Sequence, residues 1–223
     1  MASSSQSSTE SEQATDFVLG YEKTEDCAVG KPRVLSLLSS AISKSVKTNE
    51  QELKASRRDE MMTSFQRDLS DIGIQSYIEH IFKFANCTPS CFVRGCIYMD
   101  RFLQEKGIRL TSYNVHRLLI TSIMVASKLR EDESSDIKHF ALVGAIPEEE
   151  LKLMELDFLT TLKFNLHVAD EIFNNYCKQL KEEAPGEATN EPPTLSQTNP
   201  LKLNLNLHEP PTQNPLKRKF SQQ

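Results

Sequence analysis

The sequence predicts an all-α fold, and three observations predict it. Apolar residues recur at helical spacings, glycine is scarce at 7 in 223 residues, and the clearest punctuation marks helix starts and stops. Residues 33–48 give a first helix, with Val34, Leu37, Leu38, Ile42 and Val46 on one stripe. A polar stretch, 47–64, follows, and then a compact run of about five helices around a central buried one. The first of these runs from Ile74 to Asn86 with Ile74, Tyr77, Ile78, Ile81 and Phe84 on its apolar face. The second has Thr88 as N-cap and Pro89 at the first helical position, where a missing N–H costs nothing. Its apolar residues are Phe92, Cys96, Met99 and Leu103, widened by Val93 and Ile97, and Gly107 stops it. Thr111 opens the third, which from Leu118 to Leu129 is small or apolar on nearly every face; such a helix is central and buried. A shorter helix covers 134–142. Pro147 then starts a helix with Glu148, Glu149 and Glu150 in its first turn, where the helix dipole favours acids. That helix buries Leu151, Met154, Phe158 and Leu162. A last amphipathic helix, 169–182, fades into a tail.

Composition shifts set the boundaries. Residues 1–30 hold six acids against one base and six serines in the first eleven positions, and read as a disordered acidic tail. Residues 31–54 are the N-terminal helix and linker, and 55–182 the helical domain. Residues 183–223 carry seven of the ten prolines and read as a second disordered tail. Its Leu-Lys-Leu-Asn-Leu-Asn-Leu alternation at 201–207 has the period of a strand with nothing to pair with. A short linear motif that docks on a partner's sheet edge is the alternative. No apolar run approaches the roughly 18 residues of a membrane span, and no basic, apolar leader opens the chain. Five cysteines without regular spacing fit a reducing compartment better than a disulfide framework. The net charge of −5 lies in the N-terminal tail, so the neutral middle is a weak nucleic-acid binder.

Chemistry is sparse. The sequence holds no phosphate-binding glycine loop, no nucleophile elbow and no His-Glu-x-x-His motif. Cys87, Cys91 and Cys96 lack a histidine at a zinc-ligand interval, so core packing is favoured over a metal or redox site. The histidines are scattered, and nothing supports an enzyme or a cofactor. Three charges stand out because their neighbours are apolar: Asp100, Lys128 and Glu155. A charge inside an apolar stripe is costly unless paired, which points to internal or intermolecular pairing.

Those three charges lie in segments that resemble, in order and spacing, the landmarks of a cyclin box. The segments are Tyr98-Met99-Asp100-Arg101-Phe102-Leu103, Ala126-Ser127-Lys128 and Leu153-Met154-Glu155-Leu156-Asp157-Phe158-Leu159. Ile74–Lys83, Cys87–Val93 and Ser112–Ser122 resemble the plant P-type (U-type) cyclins, related to the yeast phosphate-signalling cyclin. The resemblance covers about residues 55–180. It implies a single five-helix box that binds and activates a cyclin-dependent kinase as a heterodimer, without catalytic group or cofactor. It further implies that Lys128 and Glu155 hydrogen-bond the kinase near its mobile regulatory helix, and that Val125, Leu129, Leu159 and Leu166 line the apolar groove receiving it. Asp100 is implied to be a structural charge, but the arginine that pairs with it in broader cyclins is replaced, in a gapless reading, by Asp71. The substrate-docking patch of cell-cycle cyclins is missing from the same region. Glu131–Phe140 is more acidic and less aromatic than in P-type members. The setting this suggests is cell division or nutrient-linked control, in nucleus or cytoplasm, and Lys217, Arg218 and Lys219 are a candidate nuclear-import cluster. The rival from another class is a cyclin-fold adaptor in a transcription or nucleic-acid complex, which would need a basic face.

Overall fold

A computed structural model describes residues 13–22, 30–56, 65, 72–130 and 136–183. Its elements are α1 (13–19), a two-residue antiparallel pair β1 (Tyr21–Glu22) and β2 (Lys31–Pro32), and seven longer or equal helices. These are α2 (Arg33–Ser56), α3 (Ile74–Phe84), α4 (Pro89–Lys106), α5 (Val115–Arg130), α6 (Ile137–Val143), α7 (Glu148–Thr161) and α8 (Asp170–Glu182). The all-α architecture matches the sequence expectation.

α5 is buried on nearly every face, as its composition requires, and α4 shares the centre with it. The two helices cross at Gly95, where an added Cβ would lie 3.0 Å from the Ile123 side chain and 3.1 Å from its backbone. Hydrogen in place of a side chain is what lets these backbones approach. Next to this crossing Phe65, Phe102 and Phe158 form a fully buried aromatic cluster, with Phe102 and Phe158 stacked at 4.9 Å and Phe65 edge-on to Phe102 at 5.0 Å.

The helix punctuation is largely where the residues put it. α4 starts with Pro89 in its first turn after Thr88, and ends at Gly107 in the left-handed region at φ 66°. α6 is capped by Asp136, whose carboxylate accepts from the Lys138 N–H. α5 starts at Val115 and not at Thr111. Asn114 is the reason: its side chain accepts from the Thr111 N–H and donates to the Arg109 carbonyl, folding 111–114 into a turn, while its own carbonyl accepts from Leu118. Phe84, expected on the apolar face of α3, is the helix's last residue and is half exposed.

Two expectations are corrected. Residues 1–30 do not read as disordered throughout, because α1 places Ala14 and Val18 in the core. Phe17 of α1 lies between two cations, Arg33 at 4.7 Å and Lys181 at 5.2 Å, and the Thr15 hydroxyl donates to Asn174 of α8 at 2.9 Å. So short a stripe, Ala14 and Val18 with Phe17 beside them, gives little periodic signal. The polar stretch after residue 47 is also helical, to Ser56. Its polar side chains face the α4–α5 connection. Asn49 donates to the Leu110 carbonyl, Glu50 accepts from both the N–H and the hydroxyl of Ser112, and Glu52 pairs with Arg109.

Two stability predictions follow from these contacts. Gly95→Val should cost about 1–3 kcal/mol, the usual penalty for overpacking, read as a lower urea midpoint; an unchanged midpoint would refute the close approach. Glu50→Ala should cost about 1 kcal/mol by removing the acceptor ahead of α5. Glu50→Gln, which keeps an acceptor oxygen, should recover most of the loss.

Candidate functional site

Lys128 sits in the last turns of α5, beyond the fully buried Ala126 and Ser127, and Glu155 sits midway along α7. The two helices bring them together: Lys128 Nζ donates to Glu155 Oε1 at 2.6 Å, with the side chains 33% and 19% exposed. A second pair ties the same helices nearer the start of α5, where the buried Arg117 guanidinium donates to Glu150 at 2.5 Å. Coulomb attraction at the buried arginine is the stronger clamp, since less water screens it. The Lys128–Glu155 pair remains accessible to a partner.

Apolar side chains lie on the same two helices and in the connection that follows α7. Leu129 is 52% exposed and Leu159 and Leu166 are half-buried, whereas Val125 lies beneath the surface as part of the core. Of the four residues expected to line a groove, Leu129, Leu159 and Leu166 reach the surface and Val125 does not. Phe164 is a large exposed side chain that the sequence reading did not single out. It is 64% exposed in the connection between α7 and α8. Lys163 and Phe164 both have positive φ, 53° and 56°. Two consecutive non-glycine residues in this region cost on the order of 1–2 kcal/mol each, so the surroundings must hold them there. α4 does so. The Tyr98 hydroxyl donates to the Leu166 carbonyl at 2.8 Å, and Arg101 donates to the His167 carbonyl at 2.8 Å. Strain of this kind persists only where the surroundings over-determine the backbone. The available signal in the sequence was an aromatic two residues beyond the last core leucine, Leu162. On α7 the exposed apolar surface continues from Leu159 to Leu156, 56% exposed, and Leu153, 66% exposed.

Asp100 does not join this site. It is buried at 7% exposure in α4, and the Tyr176 hydroxyl of α8 donates to its Oδ2 at 3.3 Å. Asp71, which a gapless reading puts where broader cyclins carry the pairing arginine, lies outside the described residues, as do 131–135 of the acidic stretch, 201–207 and Lys217, Arg218 and Lys219. Cys87, Cys91 and Cys96 are free thiols in the core; Cys87 bonds the Ala85 carbonyl and Cys91 the Thr88 hydroxyl. Among the described residues no cluster of three His, Cys, Asp or Glu side chains could hold a metal ion, and no helix is long and apolar enough to cross a membrane.

The cyclin family model matches residues 3–166, a span that takes in α1 to α7. Among curated relatives, Cyclin-P3-1 of Oryza sativa subsp. japonica is 42% identical over 153 residues, covering 68% of this chain and 65% of the relative. Cyclin-U4-1 of Arabidopsis thaliana is 39% identical over 153 residues, covering 68% of this chain and 76% of the relative. Cyclin-U2-1 of the same plant is 41% identical over 154 residues, covering 68% and 69%. The chain thus spans a little under two thirds of the rice protein's length and more of the other two. With the family match running from before α1 to Leu166, the chain belongs to the cyclin family, on its plant P-type (U-type) branch.

Proposed function

We propose that this cyclin is the non-catalytic regulatory subunit of a cyclin-dependent protein kinase, binding and activating it in cell division or nutrient-linked control, in the nucleus or cytoplasm. The observation that carries the reading is the Lys128–Glu155 pair bridging α5 and α7, on helices that also carry the exposed Leu129 and the half-buried Leu159, with the exposed Phe164 and half-buried Leu166 in the connection that follows α7. An apolar surface with a charged pair at its rim can hold a partner helix in one register. Seating the kinase's regulatory helix there would complete the Lys–Glu pair that phosphoryl transfer needs. The cyclin supplies no reacting group in this scheme. Its differential affinity for the active kinase shifts the population.

The test is a pull-down of cyclin-dependent kinases by the full chain, followed by a kinase assay on what is retained. The full chain is the right bait because α1 contributes Ala14 and Val18 to the core. A folded protein that captures no kinase sinks the reading. Binding that collapses as salt rises would instead favour a nucleic-acid adaptor.

Lys128→Glu and Glu155→Lys should each weaken kinase binding by roughly 2–5 kcal/mol if docking buries the pair. Each should cost the free chain no more than about 1 kcal/mol, because the pair is partly exposed there. The double reversal Lys128→Glu with Glu155→Lys restores the internal pair. It should recover stability in urea but not kinase affinity; recovery of both would mean that the pair acts only within the cyclin. Phe164→Ser should lower affinity at least tenfold with little change in the urea midpoint.

A further inference from the structure

Asp100 is a carboxyl in the core with an unusual set of neighbours. Tyr176, fully buried, gives it a hydroxyl, and the buried thiol of Cys96 lies one helical turn back on α4. Among the described residues, the other charged groups around α4 have contacts of their own. Arg94 lies over the Phe173 ring at 4.8 Å, and Arg101 donates to the His167 carbonyl. Lys106 pairs with Asp157 of α7, and Arg117 of α5 pairs with Glu150. From α2, Lys44 acts on Glu183 at the end of α8, and Glu183 acts on Tyr176. One neutral hydroxyl at 3.3 Å does not compensate a carboxylate taken out of water. The neutral acid costs less to bury there, and its carbonyl oxygen accepts from Tyr176.

We propose that Asp100 is a proton-dependent latch: as the neutral acid it seats α8 against α4 through Tyr176, and its ionisation loosens α8 together with the 163–168 connection that leads into it. Three neighbouring residues of α4 form the buckle. Tyr98 holds the Leu166 carbonyl, Arg101 holds the His167 carbonyl, and Asp100 between them holds Tyr176. The connection they hold carries Phe164 and Leu166, so the proton reaches the apolar surface through backbone contacts. Burial pushes the Asp100 carboxyl well above the usual carboxylate range, with the Tyr176 hydrogen bond opposing it in part, and burial raises Tyr176 and Cys96 as well. The linkage sign follows. A raised folded-state value means that the folded chain keeps a proton that the unfolded chain has lost. The contribution of Asp100 to stability is therefore complete below the unfolded carboxylate range and is lost as pH rises toward the folded value.

The test is urea unfolding of the full chain from about pH 5 to about pH 8.5, wild type beside Asp100→Asn, which keeps the shape and an acceptor for Tyr176. The wild-type unfolding constant should rise relative to that of the variant, by up to about tenfold per pH unit for one proton. His116, whose imidazole burial holds below its ordinary range, gives the opposite slope, and Glu183, raised by burial, gives a parallel one; both cancel in the comparison. A difference that does not change with pH overturns the proposal. If Asp100→Asn does not fold, the infrared carbonyl band of a protonated carboxyl in the wild type at neutral pH decides, and its absence overturns the proposal equally. The effect on Phe164 and Leu166 rests on the kinase-binding reading. Wild-type kinase affinity should fall with rising pH and that of Asp100→Asn should not. Failure to capture a kinase at any pH counts against that reading and leaves the unfolding result standing.

Discussion

From Val115 to Ser127 the side chains of α5 are out of water, with His116 alone half-buried, and a helix with no polar face has to be enclosed on every side. The other helices arrange themselves around this demand. α4 lies closest because Gly95 removes the side chain that would strike Ile123. α7 closes another side with Leu151, Met154 and Phe158, and the buried Arg117 reaches from α5 to Glu150 to fix its register. α2 controls the entry to the helix through Glu50 and Ser112. Once α5 is enclosed, its last turns have little freedom, and Lys128 emerges beside Glu155.

The surface beside that pair depends on a second layer of constraint. α7 ends at Thr161, and the chain turns through two left-handed residues before α8 begins. Without outside support such a turn would relax, since each of these conformations is disfavoured for residues with a Cβ. Tyr98 and Arg101 supply the support from α4 by occupying successive carbonyls. Phe164 is thereby held outward while Leu166 is drawn in. An exposed aromatic held in one place loses little entropy on binding, which favours its use as an anchor.

Much of this was legible in the sequence because it follows from local rules. Pro89 and Gly107 mark the ends of α4, the acidic run from Glu148 marks the start of α7, and the all-apolar stretch after Leu118 identifies the central helix. Lys128 and Glu155 were visible as charges among apolar neighbours, although their pairing with each other was not. What escaped depends on contacts distant in sequence. α1 is too short to show a period, and its place in the core comes from α8, some 160 positions away. The polar half of α2 looks like a linker until the α4–α5 connection is set beside it. Asp100 was recognisably in need of a partner, yet nothing local identified a tyrosine 76 positions later. Phe164 looked like an ordinary aromatic because its backbone conformation is imposed by α4.

The two parts of the site differ in what they can contribute to a complex. A partly exposed ion pair is worth at most about 1 kcal/mol to the free chain, and burying it under a partner costs hydration that its own attraction repays only in part. Lys128 and Glu155 already satisfy each other, so a partner that covers them does not strand a lone charge. In the proposed complex they would therefore discriminate more than they attract. A misplaced partner that splits the pair leaves a buried charge without compensation, whereas a correct one adds polar groups to a pair already formed. Affinity has to come from the apolar side chains around it, at about 25 cal/mol for each Å² removed from water. In the proposed complex Leu129, Leu159, Phe164 and Leu166 would provide that area, and the strained turn holding Phe164 would give it a fixed shape before any partner arrives.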